Sequence, residues 1–385
     1  MRAARRLSLR SSLRSSPQST QGAPRTWRDA GLAGSTRRLG GQPPRRSGGA
    51  TTQLTTSDRG ENAASEPAVE LEELGGSPGA LAWPREPDGW VLADDGAALA
   101  TYVHEPARLP APRWRERLAG RRPAPPTVVL VHGWTLTAAV WDRTVAVLTE
   151  QRPDVRVVRY DQRGHGSSAA RGPLAPAARP IAAISRLADD LAAVVDTCAP
   201  EGPLVVVGHS MGGMALLSAS ARVPGLLGAR TRGLVLVSTS AGGLSSAGRP
   251  LVPLMAALAR LPQDVLVPRA PRLLAQRTNY GPGVDPRLVA DTMRAMGRVS
   301  GRTTGEWFSA LMAHDESAAL PLLAAAGTPV RVVVGDHDRL TPTSHAQALV
   351  DALPKAHLRV VAGTGHMMLV ERPDVIAAEV GALLG

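Results

Sequence analysis

From Thr127 onward, short runs of valine and leucine alternate with segments that have the periodicity of amphipathic helices. These runs lack the polar–apolar alternation of a strand with one solvent-exposed face, so they predict strands that are buried on both faces. Strands that alternate with helices imply an α/β fold with a mostly parallel central sheet and helices on both faces. The predicted strands are Val128–Val131, Val155–Arg159, Leu204–Val207, Leu234–Val237, Val330–Val334 and His357–Val361.

The alternation of strands and helices breaks off between residues 241 and 325. An insertion of this length between two parallel strands predicts a helical lid over the carboxyl ends of the strands, where ligands bind in open α/β sheets. The alternative is a helical decoration that only thickens the core. The core itself is predicted to comprise residues 86–240 and 326–385, with a strand hairpin near its start. The helices predicted in the insertion are Leu254–Leu261, Arg287–Met296 and Thr304–Met312.

Residues 1–85 are rich in Ser, Gly, Pro, Thr and Arg and have almost no apolar periodicity, which predicts a disordered basic extension. Residues 1–66 contain 12 arginines and 4 acidic residues, a net charge of +8 out of the +11 of the whole chain. The rest of the chain therefore carries only +3. Trp27 is the only aromatic residue among those arginines, so nucleic-acid binding is not predicted.

The sequence has no apolar run of the roughly 18 residues that a membrane-spanning helix needs, so stable membrane insertion is not predicted. The single cysteine, Cys198, excludes an intrachain disulfide and fits a reducing compartment. We therefore expect a cytoplasmic protein. The Arg- and Ser-rich start resembles a transit peptide and lacks the apolar region of a secretory signal, and a transit or export signal stays open as an alternative.

The most specific motif is Gly208-His209-Ser210-Met211-Gly212, which follows a predicted strand directly and opens a predicted helix. A serine in Gly-x-Ser-x-Gly sits on a sharp strand-to-helix turn, and glycines two positions on either side let the strand and helix approach closely. Ser210 is therefore the predicted nucleophile. The amide of Met211, at the amino end of the helix, is a predicted oxyanion donor.

A serine hydroxyl needs a general base and an orienting carboxylate to act as a nucleophile at neutral pH. His366 is the predicted base, because it lies on a glycine-punctuated loop after the last predicted strand, from which its side chain can project over the sheet edge. The competing histidines lie on the acid's own loop, on a predicted helix, in the lid or beside turn glycines (His337, His345, His314, His165 and His209).

The orienting carboxylate is predicted on the loop that follows Val330–Val334. Asp338 is the first candidate, three residues after a glycine and just before an aliphatic-Thr-Pro turn, and Asp336 is the alternative. The cluster around them has no second set of matching ligands elsewhere in the sequence, so neither a metal nor another cofactor is predicted.

A second oxyanion donor is predicted at Trp134, in His132-Gly133-Trp134 directly after the first buried strand. Gly133 would allow the loop to fold back so that the Trp134 amide faces the oxyanion. His132 is interpreted as a residue that braces this loop rather than as a base.

From about residue 88 to the end, the chain resembles the α/β-hydrolase superfamily and, within it, the esterase, lipase and C–C-hydrolase group. The order Ser210, Asp338, His366 is the order of the catalytic triad in that superfamily. The segment Asp161–Ser168 resembles the group's Asp-x-Arg-Gly-x-Gly-x-Ser turn, whose role the resemblance implies to be structural. Members that are epoxide hydrolases or haloalkane dehalogenases use an aspartate as nucleophile, and a serine at position 210 argues against both.

The function expected from these residues is a serine hydrolase that cleaves a carboxylic ester of a small or medium, largely apolar molecule through an acyl-enzyme. Carbon–carbon or thioester hydrolysis, acyl transfer and perhydrolysis on the same triad stay open, as does a non-catalytic ligand-binding module. The apolar character of the substrate is suggested by residues of the lid that would equally serve as its core: Leu254, Met255, Leu258, Met293, Met296, Trp307, Phe308 and Met312.

Overall fold

The computed structural model describes residues 85–109, 111, 123–175, 182–244, 249–263, 265–266, 277–296 and 299–385. The predicted disordered extension, residues 1–85, lies outside these residues except for Arg85. In the described part of the chain, no helix is both long and apolar enough to cross a bilayer.

The described strands form one eight-stranded sheet in the order β1-β2-β4-β3-β5-β6-β7-β8. Strands β1 and β2 form the predicted antiparallel hairpin, and every neighbouring pair from β4 through β8 in that order is parallel, as predicted. The strands are β1 (Gly89–Leu92), β2 (Ala98–His104), β3 (Thr127–Val131), β4 (Arg156–Tyr160), β5 (Leu204–His209), β6 (Thr231–Val237), β7 (Val330–Gly335) and β8 (Ala356–Val361).

Most of the described helices connect these strands, and three short 3₁₀ turns occur at Ala138–Trp141, Pro224–Leu227 and Arg249–Leu251. The α-helices are α1 (Asp142–Gln151), α2 (Ile184–Cys198), α3 (Met211–Arg222), α4 (Val252–Leu258), α5 (Pro286–Met296), α6 (Gly301–Ala313), α7 (Ala319–Ala326), α8 (Thr343–Ala352), α9 (Met368–Glu371) and α10 (Pro373–Leu384).

The central strand β3 is buried along its whole length because apolar layers cover both faces of the sheet. Val129 and Val131 belong to the layer that contains Leu191 of α2, whereas Val128 and Leu130 belong to the opposite layer, which contains α1 and α10. Each such side chain contributes about 1.5–3 kcal/mol by leaving water. The apolar runs of β3 to β7 were therefore correctly interpreted as buried strands, whereas β8, also expected to be buried, is only partly buried because it lies at the edge of the sheet.

The apolar periodicity of residues 185–197 predicts a helix with Ser185 as its cap, but α2 starts earlier. The helix begins at Ile184, and Ala183 occupies the cap position without a side-chain hydrogen bond. Ile184 is buried in a cluster with Leu187 and Met211. Because of this burial, the helix begins one residue before the serine. Packing thus outweighs a capping hydrogen bond, which is worth about 1 kcal/mol.

The segment between β6 and β7 contains α4 to α7 and, among its described residues, no strand longer than an isolated bridge. Helix α6 carries Trp307 and Leu311 into the apolar cluster that contains Met211 and Met214 of α3. This segment therefore packs beside the turn that carries Ser210. Its apolar residues divide between core and surface, since Trp307 is buried and Leu254 of α4 is 55% exposed.

Candidate active site

Ser210 joins β5 to α3 and has a backbone conformation that residues with side chains rarely adopt, with φ of 53° and ψ of −119°. Such strain persists only where the surroundings hold the backbone in place. Here the Ser210 amide donates to Val237 O at 2.9 Å, and the Thr239 hydroxyl donates to Ser210 O at 2.8 Å. The neighbouring strand therefore holds the serine on the sharp turn that the motif predicts.

The two motif glycines allow the strand and helix to meet at this turn. A methyl group on Gly208 would lie 2.6 Å from Gly212 O, and one on Gly212 would overlap Val131 O at the end of β3. Gly208 is therefore required by the close approach of β5 and α3, as inferred from the sequence, whereas Gly212 is required because α3 approaches the end of β3.

Asp338 and His366 lie on the loops that follow β7 and β8, and the structure brings them into contact. The Nδ1–H of His366 donates to Asp338 Oδ2 at 2.9 Å and lies 3.0 Å from Oδ1. The same carboxylate accepts hydrogen bonds from the Leu340 amide, the Thr341 amide and the Thr341 hydroxyl at 2.9–3.0 Å. With Nδ1 occupied in this way, Nε2 of His366 is the nitrogen that can accept a proton.

Asp336, the alternative carboxylate, has a different environment on the same loop. It is 40% exposed at its side chain, and its Oδ1 accepts a hydrogen bond from the Thr364 amide at 3.2 Å. His337 beside it is also largely exposed. Of the two aspartates, Asp338 is therefore the one whose carboxylate is hydrogen-bonded to His366.

The surroundings of Asp338 favour its ionised form. Burial by itself would raise the pKa of this carboxyl, but the charge and hydrogen bond of His366, together with the hydrogen bonds from Thr341, outweigh it and lower the pKa to about 2. A carboxylate held ionised at this position stabilises positive charge on the imidazole.

We expect Asp338 to make the stability of the folded protein depend on pH below about 4. Because its folded pKa of about 2 is lower than the ordinary 3.8, the carboxylate stabilises the folded state above about pH 4, by on the order of 2 kcal/mol. This contribution is lost as the pH falls through about 2. Urea unfolding of wild type and Asp338→Asn at several pH values between 5 and 2 measures it. The free energy of unfolding should fall more in the wild type than in the variant over this range. If it fell equally in both, Asp338 would not have the lowered pKa in the folded protein.

His209, the second residue of the motif, connects the serine turn to the loop of His366. Its Nε2–H donates to the carbonyl oxygen of His366 at 2.9 Å, and the two rings lie 5.0 Å apart. Burial, with a smaller contribution from the charge of His366, lowers the pKa of His209 to about 3, so it stays a neutral donor. His209 therefore links the serine turn to the loop of His366.

The loop His132-Gly133-Trp134 lies directly against the serine turn. A methyl group on Gly133 would lie 2.9 Å from His209 Nδ1 and 3.1 Å from Ser210 Cβ. His132 is buried and braces the loop, because its Nδ1–H donates to Gly133 O and its Nε2 accepts from the Gln162 amide, each at 2.8 Å. The loop of Trp134 and the helix that begins at Met211 are therefore neighbours on either side of Ser210.

The side chain of Trp134 contacts the segment between β6 and β7. Its indole Nε1–H donates to Thr304 O of α6 at 3.2 Å, and its ring lies 5.7 Å from that of Phe308. The loop that carries the predicted oxyanion donor and the predicted lid are thus in direct contact.

The turn Asp161–Ser168 has the structural role that the resemblance implied. The Asp161 carboxylate accepts hydrogen bonds from the Ala138 amide at 2.7 Å and the Ser167 amide at 2.9 Å, which ties β4 to the turn before α1. Arg163 is buried and forms ion pairs with Asp95 at 2.8 Å and Asp190 at 2.6 Å. These residues support the core and do not join the cluster of Asp338 and His366.

Sequence reasoning missed three residues that support the cluster: Thr239, Thr341 and Glu371. Thr341 had a signal, since it belongs to the aliphatic-Thr-Pro turn beside Asp338. Thr239 and Glu371 had no such signal, because Thr239 bonds to Ser210 on another strand and Glu371, besides the nearby Gly365, bonds to the distant Gly281. In the described part of the chain, no three His, Cys, Asp or Glu side chains come together as a metal site would require.

The sequence profile of a family described as the alpha/beta hydrolase family matches residues 128–379. The chain belongs to the alpha/beta hydrolase family. Over 261 residues, this α/β hydrolase is 27% identical to the pimeloyl-(acyl-carrier protein) methyl ester esterase of Xanthomonas oryzae pv. oryzae, covering 66% of the chain and 92% of that esterase. The predicted fold class and superfamily are therefore confirmed.

Two further similarities are narrower in what they show. A stretch of 90 residues is 38% identical to the probable oxidoreductase EphD of Mycobacterium tuberculosis, and it covers 23% of the chain and only 14% of EphD. The solved structure of a thermophilic esterase from Thermogutta terrifontis matches with a TM-score of 0.58 at 20% identity, over 77% of the chain and 97% of the esterase. At 20% identity, the match to the esterase shows a shared fold alone.

Proposed function

We propose that this α/β hydrolase is a serine hydrolase that cleaves a carboxylic ester of a small or medium, largely apolar molecule through an acyl-enzyme. The observation that carries the proposal is the hydrogen bond from His366 Nδ1 to the ionised Asp338, on loops beside the strained turn of Ser210. The similarity to a methyl ester esterase over most of that protein supports the same reaction class.

In the proposed reaction, Nε2 of His366 takes the hydroxyl proton of Ser210 while the serine oxygen attacks the ester carbonyl. The amides of Met211 and Trp134 stabilise the negative oxygen of the tetrahedral intermediate. The leaving alcohol then receives the proton from His366, and water, activated by the same imidazole, hydrolyses the acyl-enzyme. Asp338 holds the imidazole in the required tautomer and stabilises its positive charge during both steps.

The apolar side chain of Trp134, which is partly exposed and lies on the loop against the serine turn, supports an apolar substrate group. Met211 adjoins the serine and packs in a cluster with Leu187, Leu244, Trp307 and Leu311, against which Trp134 is partly buried. We also propose that residues 241–325 form the lid of this site, because α6 supplies two members of that cluster and accepts the hydrogen bond from the Trp134 indole.

A panel of p-nitrophenyl esters of increasing acyl length tests the proposal. For each methylene that enters an apolar site, kcat/KM should rise by up to about fourfold, since burial of one methylene is worth about 0.8 kcal/mol. The rise should stop at a medium chain length. Thioesters and carbon–carbon substrates of matched size should be slower, and added alcohol or peroxide should divert only a minor part of the acyl group.

Labelling by a fluorophosphonate probe separates the proposed enzyme from a non-catalytic binding module. Wild type should react with the probe at Ser210, as located by mass spectrometry of the labelled peptide. A folded protein that neither reacts with the probe nor turns over any ester of the panel would contradict the proposal.

A further inference from the structure

The segment Asn279–Gly281, which belongs to the predicted lid, runs along the loop that carries His366. The Met367 amide donates to Asn279 O at 2.9 Å. A methyl group on Gly281 would overlap Gly363 O, and one on Gly365 would overlap the backbone of Tyr280. The two backbones are therefore in contact at positions where both sides need glycine.

Glu371, at the end of α9, joins the same two pieces of chain. Its Oε2 accepts a hydrogen bond from the Gly281 amide at 2.8 Å, and its Oε1 accepts one from the Gly365 amide at 3.1 Å. Gly365 directly precedes His366. One carboxylate thus holds the lid segment and the base loop together, and its Oε2 also lies 3.4 Å from the Gly365 amide.

The His366 loop needs such anchors because two of its four residues from 363 to 366 are glycines, and Gly363 has a φ of 68°. The peptide group that follows His366 is held at both polar atoms, His366 O by His209 and Met367 N by Asn279, and the Thr364–Gly365 peptide group is held at Gly365 N by Glu371. Two of these three hydrogen bonds are made by Glu371 and by the Asn279–Gly281 segment. The lid segment therefore contributes to the position of the imidazole as well as lying beside the site.

We propose that Glu371 and the Asn279–Gly281 segment together position His366 for catalysis, so that the segment between β6 and β7 takes part in assembling the active site. Glu371 acts as a positioning residue through the backbone of Gly365 and Gly281. The proposal rests on the proposed function, in which His366 is the general base.

Three variants test the positioning role. Glu371→Gln replaces one of the two acceptor oxygens by an NH₂ group, Glu371→Ala removes both acceptors, and Gly281→Ala inserts a methyl group between the segment and the base loop. Because a misplacement of about 1 Å can cost about 100-fold in rate, kcat should fall by about 100-fold in Gly281→Ala and Glu371→Ala. In Glu371→Gln the fall should be roughly tenfold, with KM within about twofold of wild type, since one of the two hydrogen bonds remains.

Matched controls come from α10. Glu379→Gln changes a buried glutamate that pairs with Arg359 instead of the base loop, and Gly381→Ala adds a methyl group where no atom lies within 4 Å. Both controls should keep wild-type kcat. Thermal unfolding establishes which variants are folded, and Glu371→Gln, the mildest change, decides the matter if Glu371→Ala fails to fold.

A second readout follows the base directly. In wild type, the proton between His366 Nδ1 and Asp338 should give a far-downfield ¹H NMR signal, which Gly281→Ala and Glu371→Gln should shift or broaden while Gly381→Ala leaves it unchanged. Folded variants with wild-type kcat and an unchanged signal would overturn the positioning role. If instead Ser210→Ala retained wild-type activity, the proposed function would fail, and the NMR signal would still decide whether the segment positions His366.

Discussion

Replacing Ser210 by alanine is expected to lower kcat toward p-nitrophenyl esters by about 10⁴- to 10⁶-fold, the range found when a serine nucleophile is removed. The remaining turnover would come from substrate binding and the backbone donors. Alanine keeps the Cβ atom, so the strained backbone at φ of 53° is equally strained in the variant. We therefore expect the free energy of unfolding to change by less than about 1 kcal/mol.

Ser220→Ala is the matched control for this experiment. Ser220 is also buried, lies on the helix that begins beside Ser210, and donates its hydroxyl only to Leu216 O of the same helix, at 2.8 Å. Its replacement should leave kcat within about twofold of wild type, because the hydrogen bond that is lost lies within the helix and does not involve the turn of Ser210. Comparable activity of Ser210→Ala and wild type would place the nucleophile elsewhere.

The second large effect is expected at Asp338. In Asp338→Asn, kcat should fall by about 10³- to 10⁴-fold, because an amide favours the wrong tautomer of His366 and cannot stabilise its positive charge. Asp336→Asn is the matched comparison on the same loop. An asparagine oxygen can still accept the hydrogen bond from the Thr364 amide. The kcat of Asp336→Asn should therefore fall by no more than a few-fold.

This pair of variants also decides between the two aspartates that the sequence left open. The proposal is supported if kcat, measured at a fixed pH near 8, falls strongly in Asp338→Asn and only slightly in Asp336→Asn. The reverse order would identify Asp336 as the orienting carboxylate. Equal small losses would mean that neither aspartate orients His366 during catalysis.

The strands and the serine turn could be predicted because their causes are local. The apolar run Leu204–Val207, the glycines around Ser210 and the helix after it lie within residues 204–222. The three nearest atoms that a methyl group on Gly208 would meet belong to Gly212 and Gly213 in the same stretch. The antiparallel hairpin and the parallel direction of strands β3 to β8 likewise follow from short apolar runs and the helices between them.

The sequence placed Asp338 ahead of Asp336 by its spacing from the glycine and its aliphatic-Thr-Pro turn, but it kept Asp336 as an alternative because both aspartates stand on one loop. The structure separates them through the fold of that loop, which turns the Thr341 hydroxyl and two amides toward Asp338 and leaves Asp336 largely exposed. The contact of Asp338 with His366 spans 28 residues of sequence. Pairing of this kind depends on where β7 and β8 place their loops.

The sequence by itself determined the α/β class, the sharp turn at Ser210 and the set of histidines and aspartates from which a base and an acid could come. Those features follow from hydrophobic periodicity and from steric limits within a few residues. The tertiary structure decided which of these groups meet, and it added Glu371 and Gly281, which lie 90 residues apart. Gly281 has no local signature, because it is required by the backbone of Gly363, which folding brings beside it. Glu371 contacts the nearby Gly365 but becomes a link between two segments only when folding brings Gly281 beside it.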